Sequence, residues 1–453
     1  MSRTDTAAVQ ELVGLFDAAD PYAFSDTYLD PLQLQAIDDR FQQRRTQLPV
    51  LAQRASDSGI DRVTALQDVL PLLFPHSLYK SYPEAFVTQG RWDRMNQWLG
   101  TLSTQSMDGI DLDGITDIDD WLSRLHAAGH LVYSSSGTSG KCALLPSTAE
   151  DFDFAAKTWR EFFRWAFGTE AKQDLPAFIL LPSRGAHVFV PTMNRLGQDV
   201  GRPGQVHFLS DLPSTAAEGN RLGSLRRAIA EGRATPTEIA ALETFGAERQ
   251  QEMGDRLIEL VDHLVEHRHE PIFMLALYQQ MFQIMQELRA RGIEDAFHPD
   301  SAILTGGGRK ADNTMPPDYR EQVRAFLAPV RLVELYGMSE LTAHCPPCPQ
   351  DAWHVPPTVA LLVLDKTGEQ LLNPARGEGG VVEGRMAFVD VAVEGRWGGL
   401  ITGDNITANF SACGCGRPGP TVTSIVRYSD LPEGDDKLTC AGSMDAYVRG
   451  VIE

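Results

Sequence analysis

The stretch Tyr133-Ser-Ser-Ser-Gly-Thr-Ser-Gly-Lys-Cys-Ala-Leu-Leu-Pro146 decides how the rest of the chain is read. Hydroxyl side chains stand at Ser134, Ser135, Ser136, Thr138 and Ser139. Gly137 and Gly140 interrupt them, and Lys141 closes the run. Glycine lets the backbone turn and approach a ligand closely. Successive N–H groups in such a turn form a concave anion site. The hydroxyls add donors, Lys141 adds a point charge, and the ligand that suits them is a polyphosphate. Leu131-Val132-Tyr133 reads as a strand entering the loop, and Ala143-Leu144-Leu145 as a strand leaving it. The commoner phosphate loop, Gly-x-x-x-x-Gly-Lys-[Ser/Thr], does not fit, because Ser135 stands five before Gly140 and Cys142 follows Lys141. The bland alternative is a Gly/Ser surface loop, since both residues are ordinary there.

Composition narrows the partners. A net charge of -21 over 453 residues leaves no basic footprint for nucleic acid. An acidic protein with an anionic ligand must concentrate its few cations locally, and Lys141, Arg309, Lys310, Arg417 and Arg427 are the candidates. The N-terminus carries no apolar signal core, and no apolar run approaches a membrane span. The expected location is therefore cytoplasmic. Six cysteines in a chain this long do not make a disulfide framework, and their clustering points to metal instead.

Along the chain, residues 6 to about 130 read as mostly helical, with Val9, Leu12, Val13 and Phe16 at helical spacing. Nothing in them demands a chemical role, and they read as a helical wrapper on a sheet. Ala149 to Phe167 reads as an amphipathic helix with an aromatic stripe that belongs to the core. Residues 177–182 read as a buried strand, followed by His187, a lone histidine of structural type. Residues 201–255 are the least informative, with a helix expected from about 236 to 267. Residues 278–291 read as a helix. Three further motifs follow in order. Ser301-Ala-Ile-Leu-Thr-Gly-Gly-Gly-Arg-Lys310 is a strand ending in Gly306, Gly307 and Gly308, where a ligand can lie against the backbone. Val330 to Glu340 is a strand running into Tyr336-Gly337-Met338-Ser339-Glu340. Gly398 to Asp404 is a strand ending in Thr402-Gly403-Asp404.

Together with Ser-Ser-Gly-Thr-Ser-Gly-Lys, these motifs resemble those of the adenylate-forming superfamily, which includes acyl-CoA synthetases and adenylation domains. The matching segments run from about residue 131 to 450. The resemblance implies a large α/β adenylation domain, with mixed sheets packed against helices. It implies that residues 135–140 and Lys141 cradle the phosphates of ATP. Gly306, Gly307 and Gly308 would contact the acyl-adenylate and adenine. Tyr336 would stack on adenine beside Gly337, Ser339 would approach the α-phosphate, and Glu340 would bind Mg²⁺, a normal partner for a carboxylate beside phosphates. Asp404 would accept bonds from both ribose hydroxyls, with Arg427 joining it. All these segments must then serve one nucleotide.

Cysteine and histidine form a further constellation: Cys345-Pro-Pro-Cys348, His354, and Cys413-Gly-Cys415. Thiolates plus one imidazole suit tetrahedral Zn²⁺. The pattern resembles the phenylacetate–CoA ligase branch and the acyl-protein synthetases of bacterial bioluminescence, and Cys415-Gly416-Arg417 fits the former. The expected ligands of a structural Zn²⁺ are Cys348, His354, Cys413 and Cys415, with Cys345 as substitute. The alternative is a set of buried free thiols.

Two departures qualify the resemblance. Cys142 and Ala143 replace the Pro-Lys that usually follows the loop. The hinge-like stretch Lys437 to Gly450 is followed by three residues only, which implies that the small C-terminal domain and its adenylation lysine are absent. Lys141, Lys310 and Lys437 are the substitute candidates. Cys440 could accept an acyl group, though an inert core thiol is the preferred reading. The chain thus divides into a helical part, 1–130, a nucleotide- and acid-binding core with a zinc-bound appendage, 131–435, and a hinge remnant, 436–453.

The function expected is ATP- and Mg²⁺-dependent adenylation of an aromatic carboxylic acid with pyrophosphate release. The acyl group would pass to an amine, a reductase or a carrier protein in specialised metabolism. Two rivals stay open: activation of another oxyanion, such as nitrite, to modify an aromatic amine, and a degenerate binder of nucleotide or acid. The assembly state is left open, a homodimer included.

Overall fold

Apolar runs too short for helices dominate the second half of the chain, and in the computed structural model they become strands. The structure describes residues 6–135, 141–187, 189–213, 215–306, 315–372, 380–431, 436 and 438. The strands, in chain order, are β1 Phe74–Pro75, β2 Leu131–Ser134, β3 Leu144–Ser147, β4 Leu175–Pro182, β5 Gly201–Ser210, β6 Phe273–Leu275, β7 Ala302–Gly306 and β8 Arg331–Leu335. They continue with β9 Pro347–Cys348, β10 Ala352–His354, β11 Val359–Leu364, β12 Val381–Asp390, β13 Gly399–Asn409 and β14 Thr421–Arg427. The chain forms two compact units. One comprises Met1–Tyr133, Ala143–Thr158 and Met338–Glu453; the other comprises Ser134–Cys142 and Trp159–Gly337.

The second of these holds a parallel five-stranded sheet in the order β5-β4-β6-β7-β8. Successive side chains of a strand point to opposite faces, and β4 shows it. Phe178 and Leu180 pack with Met274 and Ile303 against Val261 and Leu264 of the helix Pro236–Glu266 and Met281 of the helix Tyr278–Ala290. Ala177 and Ile179 pack with Phe273 and Leu304 against Trp159, Phe163 and Leu196. Both faces are covered, so the strands read as continuous apolar runs. Strand β5 lies inside the region that was uninformative in sequence. Pro203 and Gly201 would disfavour a central strand, but β5 is the edge of the sheet, where Pro is tolerated.

The first unit holds a seven-stranded sheet, β11-β12-β13-β14-β10-β9, with β1 added in parallel beside the start of β13. The rest of its pairing is antiparallel. The two-stranded β2-β3 pair flanks the serine-rich loop. The helix Asp26–Arg44 is tied to the turn after β12 by buried ion pairs from Arg40 and Arg44 to Glu394, at 2.5 and 2.8 Å. The helix Ala149–Phe167 gives its first half to this unit and its second half to the other. No described helix is long and apolar enough to cross a membrane.

Candidate functional site

In the unit built on the parallel sheet, the candidate residues sit at carboxyl strand ends, the usual ligand edge of such sheets. Gly306 ends β7 directly beside Leu335, the last residue of β8. A Cβ on Gly306 would lie 2.9 Å from the Leu335 side chain, so the close approach requires glycine. Tyr336 and Gly337 follow β8 at once, which brings them to the end where Gly306 lies. Gly307, Gly308, Arg309 and Lys310 fall outside the described residues.

Of the serine-rich loop, Ser136, Gly137, Thr138, Ser139 and Gly140 also lie outside the described residues. Its two ends are anchored. The Ser134 N–H donates to the carbonyl of Ala186 at 2.8 Å, in a bridge to His187. The Cys142 N–H donates to Asn220 Oδ1 at 2.8 Å. Lys141 lies in a half-buried bend between them. A cavity of about 180 Å³ opens here, lined among others by Ser134, Ser135, His187, Glu218 and Arg249. Sequence reading passed over Glu218 and Arg249, because both lie in the uninformative region. Cys142 itself is buried, with its sulfur 3.9 Å from the carbonyl of Ala216.

The division between units falls inside the Tyr-Gly-Met-Ser-Glu motif, after Gly337. Ser339 and Glu340 occupy a turn closed by the Leu341 N–H on the carbonyl of Met338 at 3.2 Å. Arg396 holds this turn: it donates to the carbonyl of Glu340 at 2.8 Å and to that of Pro146 at 2.9 Å. Burial of the Glu340 carboxyl pushes it above the ordinary carboxylate range, against the pull of Arg396 and Lys80. A divalent cation would relieve that cost, so the group fits a Mg²⁺ ligand.

Asp404 lies directly across from Arg427 in the β13–β14 ladder. Its N–H donates to Thr402 Oγ1 at 3.1 Å. The turn before it is crowded, since a Cβ on Gly403 would stand 2.8 Å from an Asp436 carboxylate oxygen. Sequence reading placed no role on His76 or Asp436, which this crowding brings to the same turn. They are 360 residues apart in the chain, and no local pattern links them.

The cysteine–histidine residues come together in the same unit. β9 and β10 form a hairpin beside β14, carrying Cys348 and His354. The β13–β14 connection supplies Cys413 and Cys415, folded by a Cys413 N–H bond to the carbonyl of Arg417 at 2.8 Å and by Gly416 at φ +92°. The four ligand atoms lie within 4.8 Å of one another. Cys348 and Cys413 sulfurs are 3.6 Å apart, and the Cys415 sulfur is 3.3 Å from His354 Nε2. Two thiolates on one tetrahedral Zn²⁺ at about 2.3 Å stand roughly 3.8 Å apart, so the donor set fits that ion. Cys345 is fully buried, pushed up to about 12 by burial, and stands outside this group. Cys440 and Lys437 lie outside the described residues.

No family model and no curated protein sequence matches the chain. Among solved structures it is similar to 2-hydroxyisobutyryl-CoA ligase. With the open conformation of that ligase, in complex with 2-HIB-AMP and CoA, the TM-score is 0.57 at 11% identity, covering 91% of this chain and 74% of the ligase. With its thioesterification state the TM-score is 0.53 at 11% identity, covering 90% and 70%. At this identity the likeness is one of fold.

Proposed function

We propose that the chain is an adenylate-forming enzyme that uses ATP and Mg²⁺ to activate a carboxylic acid, an aromatic one by preference, as its acyl-adenylate. The observation that carries the reading is the convergence of the motif order with the ligase fold. Gly306 ends β7, Tyr336 follows the neighbouring β8, and Asp404 lies across from Arg427, on a fold similar to that of a ligase bound to an acyl-AMP.

In this reading the serine-rich loop and Lys141 bind phosphates, and Tyr336 and Gly306 receive the adenine. Ser339 and Glu340 serve the α-phosphate and Mg²⁺, and Asp404 with Arg427 holds the ribose. A carboxylate oxygen of the acid attacks the α-phosphorus, the bond to the β-phosphate bridge oxygen breaks, and pyrophosphate leaves with the electron pair. Catalysis is chiefly positioning and stabilisation of charge on phosphorus and leaving group. Cys348, His354, Cys413 and Cys415 hold a structural Zn²⁺ with no open position. The acyl group then passes to an amine or a carrier thiol.

The test is ATP–pyrophosphate exchange across a panel of aromatic and aliphatic acids, with nitrite as a further arm. Acid-dependent exchange is expected. Exchange with nitrite alone would move the reading to the other oxyanion, and exchange with none would remove it.

A further inference from the structure

The connection between the helices Ala7–Gly14 and Asp26–Arg44 carries Asp20 and Tyr22. Asp20 Oδ1 accepts from the Tyr22 N–H at 3.0 Å, an Asx turn that fixes the local backbone. Asp20 Oδ2 accepts from Arg417 Nε at 2.8 Å, across 397 positions of chain. Arg417 Nη1 donates to Cys415 Sγ at 3.8 Å, and the Arg417 carbonyl accepts from the Cys413 N–H at 2.8 Å. Tyr22 meets His354 edge to face, with ring centroids 6.2 Å apart. Two residues of one short connection therefore reach two of the four candidate metal ligands, Tyr22 directly and Asp20 through Arg417. Every group named lies in the same compact unit.

Charge explains why an arginine stands there. A divalent ion on three thiolates and one neutral imidazole leaves one net negative charge. The Arg417 guanidinium offsets that charge at Cys415, and its planar fork also accommodates Asp20 on a second edge. Without the cation between them, Asp20 and the thiolate would repel. The Asp20 and Arg417 side chains are each 31% exposed, so their ion pair alone adds little to stability. Its larger effect is on the ligands it orients. The segments on either side of the connection are anchored elsewhere, by Phe16 on Phe154 and by Arg40 and Arg44 on Glu394. Residues 18–24 can therefore loosen while those segments stay docked. A cavity of about 310 Å³ opens over the contact, lined by Asp20, Ala23, Cys415 and Arg417 among others, which gives a chelator an approach to Cys415.

We propose that Arg417, positioned by Asp20, is the counter-charge of the metal centre, and that metal binding and docking of residues 18–24 are linked. This rests on the zinc reading of Cys348, His354, Cys413 and Cys415. Linkage is reciprocal: whatever the docked connection adds to metal affinity, the metal adds to docking. Arg417 and Asp20 are positioning residues, since they act through Cys415.

The experiment uses the full chain loaded with zinc. Competition with a chromophoric chelator measures zinc affinity in wild type, Arg417→Gln, Asp20→Asn and the double variant. Arg417→Gln is expected to weaken zinc binding by about 10- to 100-fold. Asp20→Asn keeps the Asx turn but removes the charge, and is expected to weaken it less. The double variant should match Arg417→Gln, because Asp20 acts through that residue. Limited chymotrypsin digestion of the wild type, with and without zinc, reads the reciprocal arm and needs no variant. Removal of zinc is expected to raise cutting after Tyr22 and Phe24 by about tenfold or more, in step with the affinity change. Unchanged zinc affinity in Arg417→Gln would overturn the proposal. So would cutting at Tyr22 and Phe24 that ignores zinc, or cuts spread over the whole chain when zinc is removed. Wild-type protein that takes up no zinc would instead overturn the zinc reading itself, and the proposal with it.

Discussion

Single residues carry the sharpest electrostatic consequences. Asp38 is buried on the helix Asp26–Arg44, where desolvation pushes its carboxyl up, but bonds from Arg62, the Val63 N–H and Gln42 together bring it below the ordinary value. A depressed carboxyl adds stability above its unfolded value near 3.8, and that share is lost as pH falls through the folded value. Asp38→Asn is therefore expected to lower stability at pH 7 by about 1–2 kcal/mol. Denaturant titrations of wild type and variant should converge as pH falls through the depressed folded value. Glu340 has the opposite sign. Its folded value is raised, so the wild type loses stability as pH rises through it. Glu340→Gln should melt no lower than wild type at pH 8 while Mg²⁺-dependent pyrophosphate exchange falls at least about 100-fold; retained exchange would remove the Mg²⁺ role. Neither sign was legible in the sequence, because the donors that fold against Asp38 and the burial of Glu340 are set by the tertiary structure.

Elements show where local pattern suffices and where it does not. The helix Ala149–Phe167 was readable from its aromatic period, and Trp159, Phe162 and Phe163 are indeed core. Its first turn does something no period reveals. Asp151 accepts from the N–H groups of Thr148, Glu394 and Gly395 at 2.9, 2.7 and 2.9 Å, so one buried carboxylate caps the helix and pins the turn between β12 and β13. Removing it orphans those donors. Asp151→Ala is expected to cost about 2–4 kcal/mol, read as a fall in melting temperature, with loss of exchange following because that turn carries Arg396. Strand β5 escaped the sequence because its register is set by β4 rather than by its own composition.

At the scale of the whole molecule, the zinc reading makes a prediction for the unit that holds the cysteines. About one zinc per chain is expected by metal analysis. Chelation should lower the melting temperature, and Cys413→Ser should lose the metal; metal-free protein with unchanged melting would remove the reading. The sequence by itself determined the apolar runs of the parallel sheet, the glycine positions where backbone must approach closely, and the residue types offered to a metal. Those are local properties, since side-chain period, backbone freedom and ligand softness belong to each residue wherever it folds. Only the tertiary structure decided that Cys348 and His354 meet Cys413 and Cys415, that Arg396 holds the Glu340 turn, and that Asp436 reaches His76. The physical reason is that such contacts join strands and loops distant in the chain, and their distances are set by sheet register and burial rather than by spacing along the sequence.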